Sequence, residues 1–309
     1  MKKLRAAVIG VGYLGRFHAQ KYKALESELP IELVGVCDVN EIQAVKVAAE
    51  LGVSSFQRPR DLLGEVDLVT IATVTRMHSQ VARAFLEAGV HCLVEKPITE
   101  TAEEAEELVE LAELRNLVLG VGHSERFNPA YLKARELVPE PSLIELNRHA
   151  PYKSRGADVS VVHDLMVHDL DLLCDLSPGP VRLSRARGGK LLSPTLDWAT
   201  AAFELGESGS GLIAVSRVAS QMTRELRLID ARQTVVANLQ TGDVQVVRFE
   251  SPDSPVVEDF ACGRGDNLLN ETREFIKAVL GQPSIVVRGP EGLRAMRWIL
   301  EVMKDLEVR

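Results

Sequence analysis

A glycine-rich turn near the start of the chain limits the possible folds more than any other feature. The apolar run Ala6–Ile9 is followed by Gly10, Gly12 and Gly15 in the pattern Gly-x-Gly-x-x-Gly. Between a strand and a helix, the first glycine permits a tight turn, the second lets a pyrophosphate approach the backbone, and the third allows close packing. The helix that begins there directs N–H groups toward phosphates. The motif therefore predicts a dinucleotide-binding βαβ unit.

An acidic residue at the expected spacing supports this prediction. The apolar run Ile31–Cys37 ends at Asp38, 23 residues beyond Gly15. A carboxylate at this place accepts hydrogen bonds from ribose hydroxyls and repels the 2′-phosphate of NADP. Since no arginine follows Asp38 directly, NAD is favoured over NADP. The candidate cofactor contacts in this region are Gly10, Gly12, Tyr13, Leu14, Gly15 and Asp38.

Strand-like apolar runs alternate with helical patterns over residues 1–122. The runs are Ala6–Ile9, Ile31–Cys37, Leu68–Ala72, His91–Val94 and Leu117–Val121, and the helical stretches lie near Leu14–Leu25, Glu41–Leu51, Ser79–Ala88 and Ala102–Leu114. This alternation predicts right-handed βαβ units around a parallel sheet. The runs are rich in Val, Ile and Leu, which indicates that both sheet faces are covered. We predict an α/β fold whose residues 1–122 form an NAD-binding Rossmann domain, a doubly wound parallel sheet.

The pattern changes after residue 122. The predicted elements are a helix at Pro129–Leu137, a strand at Leu143–His149, one long helix at Asp158–Leu176, strands at Trp198–Leu205, Gly211–Val218, Arg224–Asp230, Thr234–Leu239 and Val244–Phe249, and helices at Asn267–Leu280 and Pro290–Leu306. Serial strands indicate a largely antiparallel sheet with one solvated face. We predict that residues 123–309 form an α+β domain for substrate binding and oligomerisation. The final helix, at about 290–306, is expected to pack back on the first domain.

Composition excludes several classes of protein. A length of 309 residues suits two modest domains, and the net charge of −8 argues against general binding to nucleic acid. No apolar run is long enough to span a bilayer, and the basic N-terminus leads into the glycine turn and lacks the features of a signal peptide. The four cysteines lie far apart, which is typical of reduced thiols in a cytoplasmic protein. We expect neither a metal cluster nor disulfide bonds.

The tripeptide Glu95-Lys96-Pro97 follows the apolar run His91–Val94. In doubly wound sheets the carboxyl ends of the strands face the ligand crevice, so this is a place for functional side chains. A lysine there packs poorly, but it can stabilise the negative charge of a developing alkoxide. The alternative, that Lys96 is a solvated loop residue, is equally compatible with the sequence.

A helical segment carries a second candidate group. Within Val161–Leu173, Asp164 and His168 are four residues apart and share a helix face, which Asp171 and Asp175 extend. A carboxylate one turn from an imidazole can orient it and raise its basicity, as a general base requires. Two alternatives remain open, a His/Asp metal site and a solvated polar stripe. The absence of a transition-metal spacing counts against the metal site, and we expect no metal.

These motifs together resemble the glucose–fructose oxidoreductase/inositol dehydrogenase/rhizopine-catabolism (Gfo/Idh/MocA) family of sugar oxidoreductases. In the order of that family, the chain has the glycine turn followed by His18-Ala19, then Ala72-Thr73 with His78, Glu95-Lys96-Pro97, and Asp164-x-x-x-His168. The resemblance covers essentially the whole chain. Glu-Lys-Pro combined with Asp-x-x-x-His is far more specific than the glycine turn.

The resemblance implies a role for each motif. Lys96 and His168 flank the reacting carbinol, Asp164 is the supporting carboxylate, and either Lys96 or His168 is the base. Pro97 is often cis in the family, and the open face of the C-terminal sheet commonly joins subunits, so a homodimer or homotetramer is expected. The candidate contacts with the nicotinamide half of the cofactor are Thr73, His78, Glu95 and Lys96.

The resemblance also implies a substrate class. The segments Gly122–Pro129 and Val162–Asp171 look most like those of nucleotide-sugar 3-dehydrogenases, which implies oxidation of C3 of UDP-N-acetylglucosamine to a 3-keto sugar. Transamination would follow, in the synthesis of lipid A or a surface polysaccharide. The candidate substrate contacts are Arg126, Asn128, Arg148, Lys153 and His168.

Alternatives to this function remain at the level of sequence. Arg148, Lys153 and Arg155 form a basic segment that could meet a diphosphate or could be a solvated loop. The substrate could instead be a free cyclitol or pyranose such as myo-inositol. A non-catalytic NAD-binding regulator would keep the glycine turn, but the presence of Lys96 together with Asp164 and His168 counts against it.

Overall fold

The computed structural model describes residues 3–154, 156, 159–251 and 253–307. The chain divides into two compact units. The first contains the residues up to 124 together with residues 266–296, and the second contains residues 125–265 together with those from 297 onward. The segment 266–296 thus belongs to the first unit although it follows the second in the sequence.

The first unit is built on a parallel sheet. Among the described residues, its strands are β1 Leu4–Ile9, β2 Ile31–Cys37, β3 Ser54–Phe56, β4 Leu68–Ile71, β5 His91–Glu95 and β6 Leu119–Gly122, and its helices are α1 Tyr13–Leu25, α2 Glu41–Leu51, α3 His78–Glu87 and α4 Ala102–Leu114. The strand order is β3-β2-β1-β4-β5-β6 with every pair parallel. The predicted Rossmann sheet is therefore confirmed. The short β3 was missed because two of its three residues are exposed serines and it shows no apolar run.

The second unit is built on a mixed sheet. Its elements are α5 Pro129–Leu137, β7 Leu143–His149, a π-helical turn Val162–Met166, α6 Val167–Leu176, β8 Val181–Gly189, β9 Trp198–Leu205, β10 Gly209–Ser216, β11 Thr223–Ile229, β12 Gln233–Asn238, β13 Asp243–Ser251 and β14 Ser254–Ala261. The order is β14-β13-β12-β11-β7-β10-β9-β8, in which only β7 and β10 pair in parallel. Alternate side chains of β7, β9 and β10 are buried, which confirms the largely antiparallel sheet with one buried face.

Of the two helices that end the described chain, one lies in the first unit and the other is divided between the units. Helix α7, Asn267–Val279, lies in the first unit. Its Phe275 and Ile276 join the apolar core formed by α1, β1 and β2. Helix α8, Gly289–Glu307, contributes its first eight residues to the first unit and the rest to the second.

The helix predicted at Asp158–Leu176 differs from the structure. Asp158 lies outside the described residues, and the helical part of the described chain starts at Val161 and runs through the π-helical turn before α6 begins. A π-turn has hydrogen bonds between residues five apart, so side chains shift around the helix relative to α-helical spacing. The strands β8 and β14 were also missed, because arginine-rich β8 and the exposed β14 lack buried apolar alternation.

Two expectations from composition can be compared directly with the structure. All four cysteines are free thiols in this structure. Within the described part of the chain, no helix combines the length and apolarity that crossing a membrane requires.

Candidate functional site

A cavity of about 360 Å³ lies beside the ends of β1, β2 and β4 in the first unit. This is the edge at which doubly wound sheets bind their ligands. The cavity is lined by Ile9, Gly10, Gly12, Cys37, Asp38, Val39, Pro59, Ala72, Thr73, Val74, Met77 and Val81. Four of the predicted cofactor residues thus line one cavity, namely Gly10, Gly12, Asp38 and Thr73. Sequence reasoning missed its apolar wall, because residues such as Val39 and Pro59 belong to no motif.

Each of the three positions in the turn is a glycine for a different physical reason. Gly10 has a φ of +84°, and a Cβ there would lie 2.7 Å from the backbone of Ala72. A Cβ on Gly15 would lie 1.7 Å from the carbonyl oxygen of Gly10, so α1 can approach β1 only without a side chain. A Cβ on Gly12 would meet no atom within 4 Å, because this glycine borders open space in the cavity. The turn therefore offers the cradle that a pyrophosphate needs.

The start of α1 favours an anion. No side chain caps the helix at Gly12, and its first turn contains no acidic residue, so its positive end is available to phosphate groups. The side chains of Tyr13 and Leu14, predicted as cofactor contacts, are not part of the cavity lining. Tyr13 is exposed and packs edge-to-face on Phe17. Any contact of these two residues with the cofactor stays a prediction.

The carboxylate of Asp38 is held by two backbone amides. Its Oδ2 accepts a hydrogen bond of 2.9 Å from the amide of Val11, and its Oδ1 accepts one of 2.9 Å from the amide of Asn40. Each carboxylate oxygen retains a further lone pair that can accept a ribose hydroxyl. Because Asn40 also caps α2 through its side chain, one short segment both orients the carboxylate and starts the next helix.

The Glu95-Lys96-Pro97 turn begins at the last residue of β5, and His18 of α1 contacts its glutamate. The distance between His18 Nε2 and Glu95 Oε1 is 2.7 Å, and the other carboxylate oxygen accepts a bond of 3.1 Å from the Lys96 amide. Burial alone would raise the pKa of Glu95, but the His18 hydrogen bond and the charge of Lys96 lower it overall. The Lys96–Pro97 peptide bond is cis, as the family resemblance implies.

His78 joins the two loops that follow β4 and β5. Its Nδ1 lies 3.0 Å from the carbonyl oxygen of Pro97, and its Nε2 lies 3.2 Å from that of Thr73. The imidazole is only 1 % exposed. The residues predicted to face the nicotinamide half of the cofactor thus lie on two neighbouring loops. His78 contacts a backbone carbonyl of each loop, at Thr73 and at Pro97.

In the second unit, the structure places Asp164 in the π-helical turn and His168 in the first turn of α6, and both are partly buried. Their assignment as base and supporting carboxylate stays a prediction. His163 Nδ1 lies 2.9 Å from Ser160 Oγ, and burial lowers the pKa of His163. This neighbouring histidine therefore packs within the unit.

The guanidinium of Arg126 lies in a buried group of ion pairs, and its role as a substrate contact stays a prediction. This predicted substrate contact is 7 % exposed, and its guanidinium binds Asp171 through Nε at 2.6 Å and Nη2 at 2.9 Å. Its Nη1 lies 2.6 Å from Asp175, which also binds the Tyr131 hydroxyl. All three guanidinium nitrogens thus face carboxylates of α6, which gives Arg126 a structural role. Asp171 and Asp175, which were predicted to extend the face of Asp164 and His168, are thus both bound by Arg126.

Two other predicted substrate contacts are also part of the second unit's interior. Arg148, 3 % exposed, donates to Asp169 at 2.8 Å and to Glu125 at 3.2 Å. Asn128 caps α5 by accepting from the Ala130 amide at 3.0 Å and donates to a backbone carbonyl at 2.8 Å. Both residues therefore join elements to the sheet.

The remaining residues of the predicted basic segment are positioned differently. The side chain of Lys153 is exposed, and Arg155 lies outside the described residues. With Arg148 buried in ion pairs, a continuous basic patch for a diphosphate is not formed by the described part of this segment. A role for Lys153 in binding substrate stays a prediction.

The chain is similar to known proteins over almost its whole length. Residues 4–123 match the model of an oxidoreductase family described as having an NAD-binding Rossmann fold and designated GFO_IDH_MocA. The chain is 36 % identical over 313 residues to UDP-N-acetylglucosamine 3-dehydrogenase of Acidithiobacillus ferrooxidans, covering 99 % of this chain and 98 % of the relative. It is 24 % identical over 325 residues to myo-inositol 2-dehydrogenase of Thermotoga maritima, covering 98 % and 96 % of the two chains.

Solved structures agree with these relationships. A crystal form of the Acidithiobacillus ferrooxidans enzyme superposes with a TM-score of 0.89, covering 100 % of this chain and 99 % of the other. The scyllo-inositol dehydrogenase of Lactobacillus casei, solved with NAD(H) and scyllo-inositol, gives a TM-score of 0.83 at 20 % identity, covering 99 % and 98 %. The second likeness concerns the fold alone.

Proposed function

Because the chain belongs to the Gfo/Idh/MocA family of oxidoreductases, with their NAD-binding Rossmann fold, we propose that it oxidises C3 of UDP-N-acetylglucosamine to a 3-keto sugar. The supporting observation is the 36 % identity to an enzyme of that name over essentially the full length of both chains. The inositol dehydrogenase relative is only 24 % identical over a similar length. A free cyclitol is therefore the second candidate substrate.

The chain's own residues divide the work of the reaction. Bound NAD supplies the acceptor for the hydride that leaves the sugar carbon. Asp38 orients the adenosine ribose, while Gly12 and the start of α1 hold the pyrophosphate. Lys96 hydrogen-bonds the reacting oxygen and stabilises its negative character as its proton leaves. His168, supported by Asp164, is the proposed base, and Lys96 is the alternative base.

The experiment that tests this proposal follows NADH absorbance with UDP-N-acetylglucosamine and, in parallel, with myo-inositol. We expect turnover with the nucleotide sugar, and loss of at least about 100-fold in kcat for Lys96→Ala with NAD affinity nearly unchanged. Lys46→Ala, on the exposed face of α2, is the matched control and should behave like wild type. Wild-type turnover in the Lys96→Ala variant would remove the role given to Lys96.

Binding of UDP alone separates the two substrate classes without turnover. A ligand that binds only the folded protein stabilises it by about 2.7 kcal/mol at 100 times its Kd. A nucleotide-sugar enzyme should therefore show a raised Tm with UDP, whereas a cyclitol enzyme should not. Tight NAD binding with no turnover of any sugar would instead favour a non-catalytic regulator.

The same proposal extends to assembly and metabolism. The 3-keto product has the carbonyl group that an aminotransferase needs, so we place the enzyme before a transamination in lipid A or surface-polysaccharide synthesis.

The solvated face of the second unit's sheet holds a cavity of about 360 Å³ bordered by Arg187, Thr200 and Leu212. We propose that this face joins the subunits of a homo-oligomer. Light scattering of wild type and Leu212→Glu, which should dissociate, tests this.

A further inference from the structure

Three buried side chains lie close together at the Glu95–Lys96 turn. One of them, Glu271, has no role in the proposed reaction. His18 of α1, Glu95 of β5 and Glu271 of α7 each place one nitrogen or oxygen atom within 4.8 Å of the others. His18 and Glu271 have no exposed surface, and Glu95 is 6 % exposed. All three belong to the first unit, to which α7 returns from the far end of the chain.

The carboxyl group of Glu271 is unusual because it is unpaired. Neither of its oxygens has a hydrogen-bond partner among the described residues. A buried carboxylate without a partner is strongly unfavourable, so the group keeps its proton. Burial, and then the negative charge of Glu95, raise the pKa of Glu271 well above its ordinary value. Burial without a partner and the nearby charge of Glu95 therefore both favour the neutral form of Glu271.

Glu95 has the opposite protonation state. It receives the hydrogen bond from His18 at 2.7 Å and that from the Lys96 amide at 3.1 Å, one on each oxygen. These bonds favour the carboxylate. The cluster thus contains one negative charge, on Glu95, although it contains two carboxyl groups. A second negative charge within 4.8 Å would repel the first and compete for His18.

We propose that Glu271 is a positioning residue that acts through Glu95 on Lys96. As a neutral acid it fills the space behind Glu95 and leaves the single charge there, so that His18 and the Lys96 amide both bind one fixed carboxylate. Ionisation of Glu271 would disturb this arrangement and the turn that presents Lys96. The inference rests on the proposed function only in the catalytic role given to Lys96.

Other titratable groups near Glu271 must be considered in its pH dependence. On α1 these are His18 and Tyr22, the latter hydrogen-bonded to Thr70 at 2.8 Å. Burial raises the pKa of Tyr22. On the β5 side they are Glu95 and Lys96. The experiment therefore compares wild type with Glu271→Gln, which removes one titration and leaves the other groups in place.

The sign of the pH effect follows from linkage. A group whose pKa is raised on folding binds its proton more tightly in the folded state, so its contribution is lost as pH rises through the raised pKa. As pH rises above the ordinary glutamate pKa toward the raised one, the Tm of wild type should therefore fall relative to Glu271→Gln, by about 2–4 °C per pH unit. Infrared difference spectra should show the carbonyl stretch of a protonated carboxylic acid in wild type only.

The control and the catalytic readout complete the test. The control is Glu274→Gln, one turn along α7, which removes a carboxylate that is bound by Lys277. Burial alone would raise the pKa of Glu274, but hydrogen bonds from Lys277 and other groups lower it overall. This variant should therefore show no gain in Tm at alkaline pH. In turnover assays, Glu271→Gln should keep kcat within about 3-fold at neutral pH and lose the alkaline decline of wild type. If Glu271→Gln does not fold, Glu271→Met takes its place in the same measurements, because it also lacks the carboxyl group.

Two outcomes would overturn the inference. One is an identical pH dependence of Tm in wild type and Glu271→Gln, with no carboxylic acid band. The other is stoichiometric binding of Zn²⁺ that Glu271→Gln abolishes, which would make the cluster a metal site. Since the stability, infrared and zinc measurements need no substrate, failure of the proposed function would not be mistaken for failure of this inference.

Discussion

The backbone amide of Val11 donates a 2.9 Å hydrogen bond to the carboxylate of Asp38. This bond ties the glycine turn after β1 to the residue that follows β2. The carboxylate is thus oriented before any cofactor binds, and the turn and the proposed ribose-binding group form one rigid element. Preorganised groups of this kind lose little entropy on binding.

Replacement of Asp38 should therefore weaken NAD binding more than it weakens the fold. Hydrogen bonds to a charged group are worth about 1.5–3 kcal/mol each, so we expect Asp38→Ala to raise the Kd for NAD about 10–100-fold. Discrimination against NADP should fall because the like charge is gone. Calorimetric titration with both cofactors measures this, and an unchanged preference for NAD would contradict the role of Asp38.

Gly12 and Gly15 should respond differently to the same added methyl group. A Cβ on Gly15 collides with the Gly10 carbonyl, so Gly15→Ala should lower stability by about 1–3 kcal/mol or more. A Cβ on Gly12 meets only open space, so Gly12→Ala should keep the stability of wild type and lose affinity for NAD. Urea unfolding and NAD titration of both variants distinguish the two roles. Equal loss of stability in both would show that the open space is not maintained in solution.

Arg126 should matter for folding of the second unit. Removing one partner of a buried ion pair leaves an uncompensated charge, which costs about 3–5 kcal/mol, so Arg126→Met should lower the free energy of unfolding by that amount. The exposed pair Arg182–Glu204 provides the control, since Arg182→Ala should cost less than about 1 kcal/mol. Should Arg126→Met leave stability unchanged while raising KM for the nucleotide sugar, the residue binds substrate after all.

Asp197 should make the protein sensitive to acid. Its buried carboxylate accepts hydrogen bonds from the amides of Leu191, Leu192 and Ser193 and from the Ser193 hydroxyl. Burial opposes ionisation, but these bonds hold the pKa of Asp197 well below its usual value. Its contribution is present above the ordinary aspartate pKa and is lost as pH falls toward the lowered one.

The variant Asp197→Asn tests this acid dependence. We expect a lower Tm than wild type at neutral pH and a flatter decline of Tm below pH about 4. Asp259→Asn, on the exposed strand β14, is the control and should follow the wild-type curve. Parallel curves for all three proteins would exclude Asp197 as a source of acid sensitivity.

Local spacing was sufficient to predict the Rossmann sheet and its glycine turn. The role of Gly15 depends on Gly10, a few residues away, and parallel strands place Asp38 and Lys96 at the same sheet edge. The pairing of Arg126 with Asp171 was not predictable in this way. Helical spacing shows that an aspartate shares a face with His168, but it does not show which distant cation lies opposite that face.

Residues that return from far along the chain were equally hidden. Glu271 belongs to no motif, and its helix was expected in the second domain. Only the packing of α7 on α1 brings it beside Glu95. The π-helical turn at Val162–Met166 was also missed, because its sequence fits an α-helix.

The late return of residues 266–296 to the first unit has a consequence for synthesis of the protein. The nascent chain exposes β6 before the backbone of Val287, which accepts a bond of 2.9 Å from Val121, has been translated. Phe275 and Ile276 of the first unit's core also emerge only after the whole sheet of the second. On the ribosome, the cofactor-binding half can therefore be completed only once the intervening half has already been made.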